Sequence, residues 1–145
     1  MRPADRGPLT RPVTGGRGSR AVMRLSVLIE LVTGLTLLAV PAVVIRALIG
    51  ANGDAAATVV GRVLGGALVG LGIAGASATL RSLERGIVLA YVVYDLSTAT
   101  ILAVAGLGGT ADGSLLWPVV GLHGFLAATL LGSVLPRRPS RTASR

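Results

Sequence analysis

Four long apolar blocks, separated by short polar segments, dominate the pattern of this chain. They run over about residues 25–49, 57–80, 86–107 and 114–135. Each is close to the roughly 20 apolar residues that a helix needs to cross a hydrocarbon core of about 30 Å. The connections, at about 50–56, 81–85 and 108–113, are short, so consecutive helices should run antiparallel. The pattern therefore predicts an all-α fold, a four-helix transmembrane bundle.

The distribution of charge supports this prediction. Only nine charged residues fall between Leu25 and Pro136, and the two ends of the chain hold the other eleven. A domain of this size exposes roughly a third of its unfolded surface, so lipid rather than water must cover the apolar excess. Residues 1–24, rich in arginine, proline and glycine, are predicted to form a disordered tail, and residues 136–145 a short basic C-terminal tail.

The arginines also predict the orientation. Twelve of the fourteen lie in the two tails and the 81–85 loop, the side that the positive-inside rule assigns to the cytoplasm. Only Arg46 and Arg62 fall on the other side. The absence of lysine and the alanine, glycine and arginine bias indicate a bacterial source. We therefore expect a multi-pass protein of the inner (plasma) membrane, with both termini cytoplasmic and with tails that contact anionic lipid headgroups rather than nucleic acid.

The first block is also long for a cleaved signal peptide. Its apolar stretch exceeds the roughly 7 to 15 residues of a signal-peptide core, and it carries Glu30. A membrane span is the favoured interpretation, with a kink at Pro41.

Small residues recur at helical spacing in the second block. They are Gly66, Gly70, Ala74 and Ala78, with Gly61 and Gly65 as a further GxxxG pair. Small residues at this spacing allow two helix backbones to approach closely in lipid. Both sets are predicted to be helix-packing faces, within the bundle or against a second copy.

A polar network is predicted around Asp95, which falls near the middle of the third block. Tyr91 and Thr98 share its helix face. Counting residues inward from the outer helix ends places His123 and Arg62 at depths in the membrane similar to that of Asp95. Asp95 and His123 are predicted to be direct partners, because polar groups in hydrocarbon need partners. Glu30 enters from the other leaflet, so it is predicted to lie too far away to join and to be a separate candidate proton or cation site.

No enzyme, metal or cofactor is predicted. Cysteine is absent, which excludes thiolate chemistry, and no GxSxG nucleophile motif is present. His123 is the only histidine, so a metal site there would need carboxylate help. The leading prediction is a non-enzymatic accessory or scaffold protein with a possible homo-oligomer or membrane partner. The alternative is a small proton-coupled or lipophilic-solute transporter that uses Glu30 and Asp95.

Three short motifs carry a resemblance to a family. They are Gly61 and Arg62 followed by the glycine-rich stretch 65–72, Tyr94 with Asp95, and Leu116, Trp117 and Pro118 followed by His123. Over about residues 24–135 the chain resembles uncharacterised small four-span bacterial membrane proteins, in which an asparagine takes the place of Asp95. That family has no assigned activity, so the resemblance implies the architecture and no mechanism.

Overall fold

The computed structural model describes residues 17–81 and 84–135. Within these ranges the chain forms five helices: α1 (Arg17–Ala39), α2 (Pro41–Ile49), α3 (Ala55–Arg81), α4 (Arg85–Leu107) and α5 (Leu116–Val134). All but α2 are long and apolar enough to cross a membrane. The predicted all-α, four-span bundle is confirmed. The predicted disordered tail at 1–24 is corrected at 17–24, which belongs to α1; its remainder at 1–16 and the predicted tail at 136–145 lie outside the described residues.

The first apolar block differs from its prediction at both ends. α1 begins at Arg17, eight residues before the expected start, because the helix continues past the purely apolar stretch and buries Met23 completely in the core. Proline at position 41 then ends it, since Pro41 has no N–H to donate. Val40 leaves helical geometry at φ −138° and ψ 64°, and α2 starts afresh from Pro41. The span expected over 25–49, with a kink at Pro41, is therefore two helices with a full break at that proline.

Large apolar side chains stand exposed on each of the four long helices. Examples are Val32 on α1, Val63 on α3, Ile101 on α4 and Phe125 on α5, all more than half exposed. A soluble monomer rarely shows apolar surface on every side, whereas lipid requires it. The chain is accordingly a multi-pass membrane protein.

α1 and α3 cross at two glycines. A Cβ added to Gly65 would meet the Gly34 carbonyl oxygen at 2.7 Å, and one added to Gly34 would meet the Gly65 oxygen at 2.8 Å. Further along α3, Gly61 lies against Pro41 and Gly72 against Leu31. Here the GxxxG pair Gly61 and Gly65 packs within the bundle as predicted.

The other predicted stripe, Gly66, Gly70, Ala74 and Ala78, is not a packing face within the bundle. Gly66 and Gly70 are exposed, with open space where a Cβ would stand, and Ala74 and Ala78 are only partly buried. The contacting positions of α3 are Gly61, Gly65, Leu68, Gly72 and Gly75. They alternate steps of four and three, close to the 3.5-residue repeat that keeps two helices in contact. A strict four-residue step rotates about 40° around the helix each time, so the predicted stripe drifts off the interface.

The helices form two closely packed groups. α1 and α3 make one extensive contact and α4 and α5 the other, while contacts between the groups are sparser. We call α1–α3 the first half and α4–α5 the second half. A small core joins them toward the N-terminal end of α1, where Met23 and Val27 meet Val88, Tyr91 and Leu130.

At the opposite end of the bundle, the loop between α4 and α5 is hydrogen-bonded to α2. The Asp112 and Leu115 amides donate hydrogen bonds to the Ile49 and Ala47 carbonyls, at 3.1 and 2.9 Å. A cleft of about 530 Å³ opens beside these contacts, with Arg46 in its wall. The loop therefore ties the two halves together at this end of the bundle.

Candidate functional site

Three titratable side chains from three helices meet inside the bundle. Glu30 of α1, Asp95 of α4 and His123 of α5 each offer one ligand atom, and these atoms lie within 4.8 Å of one another. We refer to them as the carboxylate–histidine cluster. The His123 Nδ1 and Asp95 Oδ1 atoms are 2.7 Å apart, a hydrogen-bond distance. The predicted contact between Asp95 and His123 is thus present.

The expectation that Glu30 lies too far away was wrong. It assumed that α1 enters the bundle at Leu25 and continues to residue 49, which puts Glu30 near one end. Because α1 runs instead from Arg17 to Ala39, Glu30 is its fourteenth residue of 23. Asp95 is the eleventh of 23 in α4, and His123 the eighth of 19 in α5. All three therefore lie near mid-helix.

The cluster is removed from solvent. Glu30 and Asp95 have no exposed surface, and His123 is 5% exposed. Among the described residues, both Glu30 carboxylate oxygens and Asp95 Oδ2 lack a hydrogen-bond partner, as does the buried Ser26 Oγ. Serine 26 lies one turn from Glu30 on the same helix face. Unpartnered oxygens at such depth are costly, and a bound proton or cation would offset that cost.

Tyr94 forms one wall of the cluster. Its ring stands edge-on to the His123 imidazole, with centroids 5.7 Å apart and planes at 79°. Such a packed aromatic edge restricts rotation of the imidazole. Neither Tyr94 nor Ser26 belongs to the predicted network. Their signals were present but weak, since Tyr94 precedes Asp95 directly and Ser26 precedes Glu30 by four residues.

Three residues of the predicted network are not in the cluster. Arg62 is exposed on α3. Tyr91 donates its hydroxyl hydrogen bond to the Leu71 carbonyl, at 3.0 Å, and so links α4 to α3 instead of serving Asp95. Thr98 is only partly buried, and the sole hydrogen-bond partner of the Asp95 carboxylate in the described structure is His123.

The balance of charge defines what the cluster can hold. Two ionised carboxylates carry two negative charges, and His123 is the only basic side chain buried in the described structure. Burying net charge in an apolar medium is strongly unfavourable. The cluster is therefore neutral only when cations, either protons or a metal ion, supply two positive charges. Its donors are two carboxylates and one imidazole, which are metal ligands as well as proton acceptors.

Comparisons with known protein families, with curated proteins and with solved structures find no match to this chain. The resemblance to small four-span bacterial membrane proteins accordingly stays a prediction.

Proposed function

We propose that this protein is a small, non-enzymatic cation carrier of the cell membrane, with the carboxylate–histidine cluster as its exchange site. One observation carries the proposal. The cluster lies where the two halves of the bundle meet, with Glu30 from the first half and the Asp95–His123 pair from the second. Secondary transporters place their coupling-ion sites near the bilayer midplane between two moving parts.

Cation occupancy of this cluster would control how closely the halves approach. Two like unit charges about 5 Å apart repel by roughly 3 kcal/mol at an effective dielectric constant of about 20. A bound cation removes that repulsion. Since each 1.4 kcal/mol is about a factor of ten, this energy is sufficient to shift a two-state equilibrium by about a hundredfold.

Two features of the fold favour such a movement. Contacts between the halves are sparser than those within them, and α1 is broken from α2 at Pro41. Discontinuous helices recur in transporter folds, and here the break lies eleven residues beyond Glu30. The fully buried cluster represents a closed state, so transport requires a second state in which it is hydrated.

The test is a distance measurement between the halves. The chain has no cysteine, so spin labels can be placed at exposed Ala21 of α1 and exposed Gly132 of α5. In nanodiscs, removal of cations by chelation and raised pH should lengthen the distance between the two labels or broaden its distribution. Glu30→Gln should abolish that response, and Glu84→Gln, an exposed carboxylate at the end of α4, should leave it intact. A distribution that stays the same under all conditions refutes the carrier.

A second candidate, an accessory or scaffold subunit, is favoured by the open face of α3. Gly66 and Gly70 are exposed with free space above them, and small residues permit close helix association in lipid. Purification from native membranes with mass spectrometry of bound proteins tests this alternative. A stable stoichiometric partner lost on Gly70→Leu supports it, and a monomer accompanied only by lipid contradicts it.

The proposed location is the bacterial inner membrane, with both termini cytoplasmic and basic tails on anionic headgroups. The distribution of arginines supports this orientation. Contact between the arginine-rich tails and anionic lipid accounts for the net charge of +8 without a nucleic-acid partner.

A further inference from the structure

We propose that the carboxylate–histidine cluster is a binding site for a divalent transition-metal ion of the zinc class. The inference rests on the proposed function in one respect, because it names the metal ion as the cation carried. Metal binding itself is tested separately below.

The geometry supplies three ligands from three helices. One atom each from Glu30, Asp95 and His123 falls within a 4.8 Å group. Zinc ligands stand at about 2.0 to 2.2 Å from the ion, so small side-chain rotations bring all three into the first coordination shell. Zinc is held in proteins by three protein ligands with water in the fourth position as well as by four protein ligands.

An independent observation also points to a ligand. Glu30 is fully buried, and neither of its carboxylate oxygens has a hydrogen-bond partner in the described structure, nor does Asp95 Oδ2. An ion in the cluster would give one oxygen of each carboxylate a partner and would neutralise the charge of both. Ser26 Oγ, also buried without a partner, lies one helical turn from Glu30 and can orient a water molecule in the fourth position.

The donor set selects the class of ion. Calcium takes six to eight oxygen ligands, and magnesium keeps several of its waters, so neither fits a buried three-ligand site that contains an imidazole. Copper(I) prefers sulfur ligands, and the chain has no cysteine. Imidazole with carboxylates suits zinc and its first-row neighbours. A divalent ion also matches the two negative charges of the ionised carboxylates.

Binding would replace the hydrogen bond between His123 and Asp95. Their Nδ1 and Oδ1 atoms are 2.7 Å apart, closer than two ligands of a tetrahedral zinc ion, which stand roughly 3.3 Å or more apart at zinc's bond lengths. The ion therefore separates these atoms, and the two protons that neutralised the carboxylates leave to water as the divalent ion takes their place. The Tyr94 ring lies against His123, with centroids 5.7 Å apart, and so lines the path along which the imidazole would turn.

The test uses ZnCl₂ with the full chain in detergent, purified on a tag without histidine and stripped with a chelator. We expect about one zinc per chain by elemental analysis after desalting. Glu30→Gln and His123→Gln should each weaken binding by about tenfold or more, because changes to groups that only orient a metal ligand already cost about 10- to 100-fold. Glu84→Gln should bind like the wild type.

A second readout does not depend on the stability of variants. Co²⁺ added to the wild-type protein should give the visible absorption of a tetrahedral nitrogen and oxygen site, and Zn²⁺ should remove it. Absence of both zinc retention and the cobalt spectrum overturns the metal site. If Glu30→Gln and His123→Gln both retain zinc as strongly as the wild type, the metal site is overturned too, because the ion is then bound elsewhere.

The two proposals fail in different ways. If zinc does not bind but the distance between Ala21 and Gly132 still responds to pH through Glu30, the carrier stands and the metal assignment is wrong. If zinc binds at the cluster but the distance never changes, the metal site stands and the carrier is wrong.

Discussion

Replacing Gly65 by alanine tests the close approach of α1 and α3. The added Cβ would lie 2.7 Å from the Gly34 carbonyl oxygen and 2.9 Å from the Leu38 amide nitrogen. Both are backbone atoms, so the clash cannot be relieved by rotating a side chain. The helices must move apart, and overpacking of this kind costs about 1 to 3 kcal/mol.

Gly66, the residue that follows Gly65, provides the control. Gly66→Ala meets nothing within 4 Å, while both substitutions gain up to about 1 kcal/mol from the higher helix propensity of alanine. The difference between the variants therefore isolates the packing term. We expect Gly65→Ala to be less stable than Gly66→Ala by about 1 to 3 kcal/mol.

Thermal unfolding in detergent, followed by circular dichroism, measures the difference. At about 3 °C per kcal/mol for a protein of this size, the melting temperatures should differ by roughly 3 to 9 °C. Gly34→Ala meets the same interface, since its Cβ would lie 2.8 Å from the Gly65 oxygen. The Gly34→Ala/Gly65→Ala double variant should thus cost less than the sum of the two changes, because the helices separate only once. Equal melting temperatures for Gly65→Ala and Gly66→Ala would show that the described interface is wrong.

Three further predictions concern the pairs that hold the bundle and its orientation. His123→Ala strands the Asp95 carboxylate, so it should destabilise the protein more than His123→Ala combined with Asp95→Asn; strict additivity in this double-mutant cycle contradicts the pairing. Tyr91→Phe removes the hydroxyl bond to α3 and should cost about 1 kcal/mol, whereas an unchanged melting temperature would show that this bond contributes nothing. Cysteines introduced at Glu84 and Thr110, both exposed, should react with an impermeant maleimide from opposite sides of the membrane, and reaction from the same side refutes the topology.

The spans and the Asp95–His123 pair could be predicted because each follows from local properties. Apolar length identifies a span. Two polar residues at similar depth on helices joined by a short loop need each other as partners. Neither prediction depends on the rotation or tilt of helices that are distant in sequence.

The place of Glu30 and the packing face of α3 could not be predicted in the same way. Depth along α1 depends on where the helix begins and ends, and neither Arg17 nor the break before Pro41 coincides with the limits of the apolar block. The contact face of α3 depends on its crossing with α1, which favours steps of four and three. A four-residue repeat of small residues contains no information about that crossing.

The central claim is that Glu30 and the Asp95–His123 pair form one coupled centre, and the single histidine of the chain allows a direct measurement. In protein labelled with ¹⁵N-histidine, nuclear magnetic resonance reports the hydrogen bonding and protonation of His123 without interference from other residues. Asp95→Asn should change these signals, and Glu30→Gln should change them too, while Glu84→Gln should leave them as in the wild type. His123 signals that respond to Asp95→Asn but are identical in Glu30→Gln and wild type across the pH range would contradict the claim.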